Sequence, residues 1–450
     1  MNNTITKNAN TILKDNLDYT LFSWSKQAGL DPLNIEKADG IYLFDRNGKK
    51  HIDFSSQLMN VNIGHNNKKV NAAIIKQLNE VAYVCPKMVT EARGALGKKI
   101  AQISPGNLGK TFFTTGGADA IENAIKLARI YTGKHKIITK YRSYHGATYG
   151  AISAGGDPRK LKVDRDALSS VVHVEDPYCY RCPWSQNPDN CHKECVSHVE
   201  RIIQFEGPEN IAAILMEGES GSSGCIKYPQ GYWKKIKELA DKYNILIIVD
   251  EVMSGFGRCG QWFAIQSSGV EPDMIAMAKG LTSGYIPLGG LVVSNKIAAH
   301  FDNIPLMLGL TYSAHPVACA AGLACIEVYE QENLLENAIN MGEYLEAEMI
   351  FLKEKHPSIG DFRNTGLLGC IELVKNKKTK EPITPWNAKA EEMEITNKVA
   401  AKLRELGLFT FVRWNWIFLA PPLIITREQM DEALAIISKA VSVADQYYSE

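Results

Sequence analysis

Three apolar runs in the middle of the chain, "IAAILM" (211–216), "ILIIV" (245–249) and "MIAMA" (274–278), have no polar residue at alternate positions. A strand wetted on one face alternates; a strand with two dry faces does not. Segments of helical spacing accompany them. In "ADAIENAIKLARIYTG" (118–133), Ile121, Ile125, Leu127 and Ala128 share one face and Gly133 supplies a stop; "YWKKIKELADKYN" (232–244) is a second. Short dry strands separated by helices indicate a parallel sheet covered on both faces. Ligands of such sheets bind beyond the carboxyl ends of the strands.

The same pattern predicts strands at "TFFTT" (111–115), "HKIITKY" (135–141) and "GGLVVS" (289–294). Alternation on both sides of Asn47-Gly48 predicts a hairpin within 39–56, and "NKKVNAAIIKQLNEVA" (67–82) a helix. From about residue 315 one long helical stretch leads to a strand pair in "IGDFRNTGLLGCIELV", the start of a second, smaller α/β unit. The chain has 450 residues, enough for two or three domains. Fifty basic residues balance fifty acidic ones, so no net field draws it to nucleic acid or an anionic membrane. The N-terminus lacks a basic segment followed by an apolar one, and no apolar run nears the roughly 20 residues of a membrane span. A cytoplasmic protein is expected.

The strand ends carry the chemistry. "ILIIV" runs straight into Asp250 and Glu251, then into the glycine-rich "VMSGFGRCG". "MIAMA" ends on Lys279, although burial disfavours a lysine's charge. A desolvated lysine has a lowered pKa and attacks carbonyl carbon. A carboxylate one strand away complements a protonated ring nitrogen, and together they meet the needs of pyridoxal phosphate. Gly116, Gly117 and Ala118 open a helix after "TFFTT", where small residues let backbone N–H groups approach a phosphate. The plainer reading there is a strand-to-helix turn. Tyr144 and His145 follow "HKIITKY", where an aromatic side chain can stack on a flat ring or simply pack.

"FFTTGGADAIENAIKLAR", "YRSYHGAT", "VDEVMSGFGRCGQWFA", "PDMIAMAKGLTSGYIPLGG" and "TYSAHP" have the order and separations of class III pyridoxal-phosphate aminotransferases, and the chain resembles that family from about residue 20 to 445. The resemblance implies the type I α/β fold of pyridoxal-phosphate-dependent transferases, with a mostly parallel seven-stranded sheet. It also implies a homodimer, which can pair into a tetramer, with active sites shared between subunits. It divides the chain into an N-terminal segment (1–60) packed on the small domain, a large cofactor-binding domain (61–330, with a cysteine-rich insertion at 177–198) and a small C-terminal domain (331–450). Lys279 corresponds to the lysine that bonds the cofactor and carries the proton, and Asp250 to the partner of its ring nitrogen. Gly116, Gly117 and Ala118 correspond to the phosphate turn, Tyr144 with His145 to the stacked wall, and Glu217 and Val252 to residues beside the ring. Thr311 corresponds to the residue lent to the phosphate by the other subunit. Glu251 is expected to face the protein and pair with Arg258.

For the substrate end, the resemblance places the family's switchable glutamate near Ser222, so that switch is absent here. Arg413 and Arg159 are candidates for an anion, with Trp24 beside them; arginine binds carboxylate or sulfonate through several N–H groups. The plainer reading of each arginine is a structural ion pair. "SSQLMNVNIGH" and "YRSYHGAT" are most similar to the taurine transaminases, with 2-oxoglutarate favoured as acceptor over pyruvate. A broader ω-amino acid:pyruvate transaminase is the alternative. Cys179, Cys182, Cys191 and Cys195 are spaced as C-x2-C-x8-C-x3-C, which can be read as a zinc-stapled module or as packed free thiols; no catalytic metal is expected. A cofactor-binding scaffold without activity is opposed by the intact Lys279 and Asp250.

Overall fold

The computed structural model describes residues 9–163 and 169–450; the extreme N-terminal residues read above lie outside it. Seven strands form the central sheet: β1 (Leu108–Thr114), β2 (Lys136–Lys140), β3 (Val171–Val174), β4 (Ile211–Glu217), β5 (Leu246–Asp250), β6 (Met274–Met277) and β7 (Gly289–Ser294). Their order is β1-β7-β6-β5-β4-β2-β3. β7 is antiparallel to both neighbours, and the other pairs are parallel. Every residue of β4, β5, β6 and β7 is buried, as the unbroken apolar runs require. Gly133 ends the Gly117–Thr132 helix in the left-handed region, at φ 69°.

A four-stranded sheet contains the expected hairpin, Tyr42–Asp45 against Lys50–Asp53, and also Leu408–Phe409 from near the C-terminus. A third sheet holds Ile359–Thr365 and Leu368–Asn376, paired antiparallel as predicted. The long helical stretch differs from expectation. It is two helices, Pro316–Gln331 and Leu334–Lys355, separated at Asn333, whose φ of 50° breaks the α conformation. Asparagine tolerates that region better than most residues. No helix among the described residues is long and apolar enough to cross a membrane.

Arg258 ties these layers together. It is fully buried and donates to the carbonyls of Leu367 (3.0 Å) and Pro421 (2.6 Å), to Ser56 Oγ (2.9 Å) and to Asn62 Oδ1 (2.7 Å). It makes no pair with Glu251, which instead accepts from Ser254 Oγ (2.6 Å) and the Ile265 amide (2.8 Å). The intervening turn carries Arg258 away from the strand end. Burial lowers the Arg258 pKa to about 10, so the guanidinium is still charged at neutral pH. Arg258→Met leaves four buried acceptors without a donor. Each such loss costs about 1–3 kcal/mol, so the variant should lose about 4 kcal/mol of stability. A urea midpoint equal to wild type would show that water replaces the guanidinium.

Candidate active site

The ends of β2, β4, β5 and β6 open into one cavity of about 670 Å³. Register sets the first contacts: Glu217, last in β4, lies beside Asp250, last in β5. Both are buried, at 6 % and 4 % exposure. His145 Nδ1 donates to Asp250 Oδ2 (2.7 Å), and the Val252 amide donates to Oδ1 (2.9 Å). His145 Nε2 lies 3.3 Å from Thr139 Oγ1. Those contacts orient Asp250 at the cavity wall. The Tyr144 amide donates to Glu217 Oε1 (3.4 Å), and Lys140 Nζ lies 3.6 Å from Oε2. Burial raises the Glu217 pKa, against the opposing charge of Lys140.

Lys279 follows β6 with φ 39°, a left-handed conformation that costs a non-glycine residue energy. It keeps some exposed surface and lines the same cavity. Burial of its amine lowers the pKa to about 8, although Asp250 and Glu217 push the other way. The amine is therefore largely neutral above pH 8, where an ordinary lysine stays charged to about 10.5. Only the neutral form attacks carbonyl carbon. Covalent capture of added pyridoxal phosphate by the apoprotein should accelerate with pH through about 8 and then level, as read by growth of visible absorption in stopped flow. A midpoint above 10 would contradict the desolvated amine.

The residues fit the expected cofactor. Gly117 opens a 16-residue helix whose N-cap, Gly116, makes no side-chain cap. A Cβ on Gly117 would stand 2.8 Å from Val252 Cγ1, so only glycine lets the turn sit this close to the wall. The helix N-terminus presents backbone N–H groups suited to a phosphate. Gly117, Ala118, Tyr144, His145, Glu217, Asp250, Val252 and Lys279 all line the cavity. Gly116 does not; its carbonyl is turned inward to Thr114 Oγ1 (2.9 Å) and the Ala120 amide (3.1 Å). Thr311 is exposed and away from the cavity lining, with its carbonyl accepting from Tyr83 (2.8 Å).

Trp24, Arg159 and Arg413 line the cavity too. Arg159 stacks on the Tyr144 ring (4.1 Å) and the Trp24 ring (4.8 Å). Both arginines are also ion-paired, and with the same residue, Asp157. Burial alone would raise the Asp157 pKa; hydrogen bonds from Arg413 and Arg159 outweigh it and hold the group at about 2. Sequence reasoning missed Asp157, and also Glu219, Met253 and Phe411 in the lining. Glu219 stood in plain view in "EGESGSSG", two residues past Glu217. Thr365 donates to its Oε1 (3.0 Å), and burial pushes its carboxyl up to about 7. Ser222 lines the cavity where the switchable glutamate was expected.

Among the described residues, no three histidine, cysteine or acidic side chains are placed to hold a metal ion. The four clustered cysteines are free thiols, with Cys191 Sγ accepting from the Lys193 amide (3.2 Å).

The family model for class III aminotransferases matches residues 24–441. The solved taurine:2-oxoglutarate aminotransferase of Bifidobacterium kashiwanohense, in complex with pyridoxal phosphate and glutamate, superposes with a TM-score of 0.94. It is 39 % identical and covers 97 % of this chain and 98 % of that one. The leucine/methionine racemase of Thermococcus litoralis is 34 % identical over 432 residues, 95 % of this chain and 94 % of its own. The putrescine–pyruvate aminotransferase of Pseudomonas aeruginosa is 33 % identical over 422 residues, 90 % of each.

Proposed function

The chain belongs to the class III aminotransferases, enzymes that use pyridoxal 5'-phosphate, and from that premise we propose that it moves the amino group of taurine to 2-oxoglutarate, giving sulfoacetaldehyde and L-glutamate. One observation carries the substrate choice: two arginines, Arg159 and Arg413, stand on the same cavity as Lys279. A terminal amine directed at Lys279 leaves a distal sulfonate for the arginines, and the distal carboxylate of the acceptor uses the same place. The likeness to the Bifidobacterium enzyme supports this reading. The likeness to a putrescine–pyruvate enzyme favours the second reading, a broader ω-amino acid:pyruvate aminotransferase.

On this reading the backbone N–H groups of Gly117 and Ala118 would hold the phosphate, and Gly116, off the cavity lining, only leads into their turn. His145 and Val252 orient Asp250, which would complement a protonated ring nitrogen, and Tyr144 would cover the ring. When bound, the cofactor supplies an electron sink for the carbon that bears the transferred nitrogen. Lys279 would hold the cofactor and, once the donor amine displaced it, its neutral amine would take and carry the proton from the donor carbon. Trp24 closes the substrate end over Arg159. Thr311 serves the phosphate of a second copy, in a homodimer that can pair further. Exposed Tyr83, Met88, Val89, Met307 and Tyr312 support such an interface. On the same reading the chain divides into its three parts near residues 60 and 330, and the free cysteines support a cytoplasmic setting.

A single half-reaction tests the donor. Taurine is added to the cofactor-loaded protein without any oxo acid. Loss of visible absorption with growth of near-ultraviolet absorption supports taurine, and separate additions of 2-oxoglutarate and pyruvate then identify the acceptor. An unchanged spectrum that does shift with β-alanine moves the substrate to the second reading. Arg413→Ala and Arg159→Ala should each lower taurine kcat/KM at least about tenfold, the loss of a charge-assisted hydrogen bond of about 1.5–3 kcal/mol. Turnover of an uncharged amine should change by less than about threefold. Equal losses for both donors would remove the arginines from the substrate site.

A further inference from the structure

The two arginines are fastened to each other. Asp157 is 4 % exposed and its carboxylate receives both guanidinium groups. Oδ1 accepts from Arg159 Nε (2.8 Å) and Arg413 Nη2 (3.2 Å); Oδ2 accepts from Arg159 Nη2 (3.1 Å) and Arg413 Nη1 (2.7 Å). Each oxygen thus takes one guanidinium N–H from each arginine, and Oδ1 also accepts from the Arg159 amide (2.9 Å). A guanidinium has five N–H groups, so each arginine retains others for a ligand.

The backbone beneath is fixed as well. The amides of Gly156 and Asp157 both donate to the Ser143 carbonyl (3.1 Å each), one residue before Tyr144. A Cβ on Gly156 would stand 1.8 Å from the Tyr141 carbonyl oxygen, so no other residue allows that approach. From the other side, Tyr144 and Trp24 stack on Arg159, and Trp414 stacks on Arg413 at 4.0 Å. Neither side chain is free to swing without leaving both its ion pair and its ring.

We propose that Asp157 is a positioning residue that holds Arg159 and Arg413 as one immobile fork and limits its net charge to a single positive unit, so that the fork selects a singly charged oxyanion, such as a sulfonate or carboxylate, over a doubly charged one, such as a phosphonate. Two guanidinium charges less one carboxylate charge leave one. A monoanion neutralises the fork. A dianion leaves an excess negative charge beside the buried Asp157 carboxylate, where screening is weaker than in water. The low pKa of Asp157 means that it stays ionised throughout the working range.

The inference rests on this cavity being the substrate site, and its test does not require taurine to be the donor. Ethanesulfonate and ethylphosphonate have similar shape and, at pH 9, differ by about one charge. Their inhibition constants are measured against whichever amino donor the holoenzyme accepts, for wild type and Asp157→Asn. Wild type should bind the sulfonate at least about tenfold more tightly. Asp157→Asn, whose fork carries two units, should lose or reverse that preference while the visible absorption of the loaded protein is unchanged. A merely structural role would weaken both inhibitors equally and keep the ratio. Should the variant not fold, wild type at pH 6, where more of the phosphonate is singly charged, decides: the preference must shrink. Wild type that binds the phosphonate as tightly as the sulfonate at pH 9, or a variant that keeps the wild-type ratio, overturns the proposal. Protein inert to taurine yet inhibited selectively by ethanesulfonate would retain the fork and remove only the taurine reading.

Discussion

Lys279→Ala should reduce turnover at least about 10⁴-fold, because on the proposed mechanism one side chain supplies both the covalent hold on the cofactor and the proton carrier. The fold should survive. Lys279 is costly where it stands: its amine is desolvated, and its φ of 39° is unfavourable for any side chain. A base whose pKa falls from 10.5 to about 8 on folding is destabilised in its charged form. That penalty is fully present below pH 8 and vanishes above 10.5. It amounts to about 3 kcal/mol at neutral pH. Alanine removes it, at the expense of lost methylene packing of about 2 kcal/mol. The apo variant should therefore melt within a few degrees of wild type. Borohydride reduction followed by mass spectrometry should fix cofactor to Lys279 in wild type and to no residue in the variant. Labelling at another lysine, or turnover within tenfold of wild type, would remove Lys279 from its assigned role.

The features that identified Lys279 also explain how much of this molecule was legible in sequence. A charged residue that ends a dry strand is anomalous within a window of a few residues, and Lys279, Asp250 and Glu217 are each of that kind. Parallel pairing then brings them together without further information, since neighbouring strands end at one edge of the sheet. Gly117 is legible for a similar reason, as a small residue at a strand-to-helix turn, though the contact that requires it, Val252, comes from β5's far end.

What was not legible depends on contacts across the chain. Asp157 sits two residues from Arg159, and such a pair reads as an ordinary surface salt bridge. Its meaning comes from Arg413, 256 residues away. Glu251 and Arg258 invited pairing because they are seven residues apart with opposite charges. The turn at Gly255 and Gly257, the latter with φ 79°, sends the arginine into a layer where carbonyls, not carboxylates, await it. The single long helix expected after residue 315 failed at one asparagine, because both halves have helical spacing and only backbone geometry reveals the break. Thr311 shows a different limit. Its assignment concerns a second copy of the chain, and one chain alone leaves it exposed beside Tyr312.

Asp250→Asn should lower kcat/KM by about three orders of magnitude, roughly 4 kcal/mol of transition-state stabilisation. The substitution isolates charge from shape. An amide oxygen can still accept from the Val252 amide, as Oδ1 does now at 2.9 Å, and the side chain keeps its volume in the cavity wall. What disappears is the negative charge that would complement a protonated ring nitrogen. The same charge acts on Lys279, whose lowered pKa Asp250 partly restores. Removing it should depress the lysine further, so covalent capture of pyridoxal phosphate by the apo variant should have its midpoint below the wild-type value of about 8. These two readouts separate the possibilities. A variant that loses activity and shifts the capture midpoint downward has lost an electrostatic partner of both cofactor and lysine. A variant that loses activity with the midpoint unmoved has lost only the His145 contact at 2.7 Å, which makes Asp250 an anchor for that ring and leaves the cofactor's nitrogen to another group. Full activity would make Asp250 an ordinary strand end.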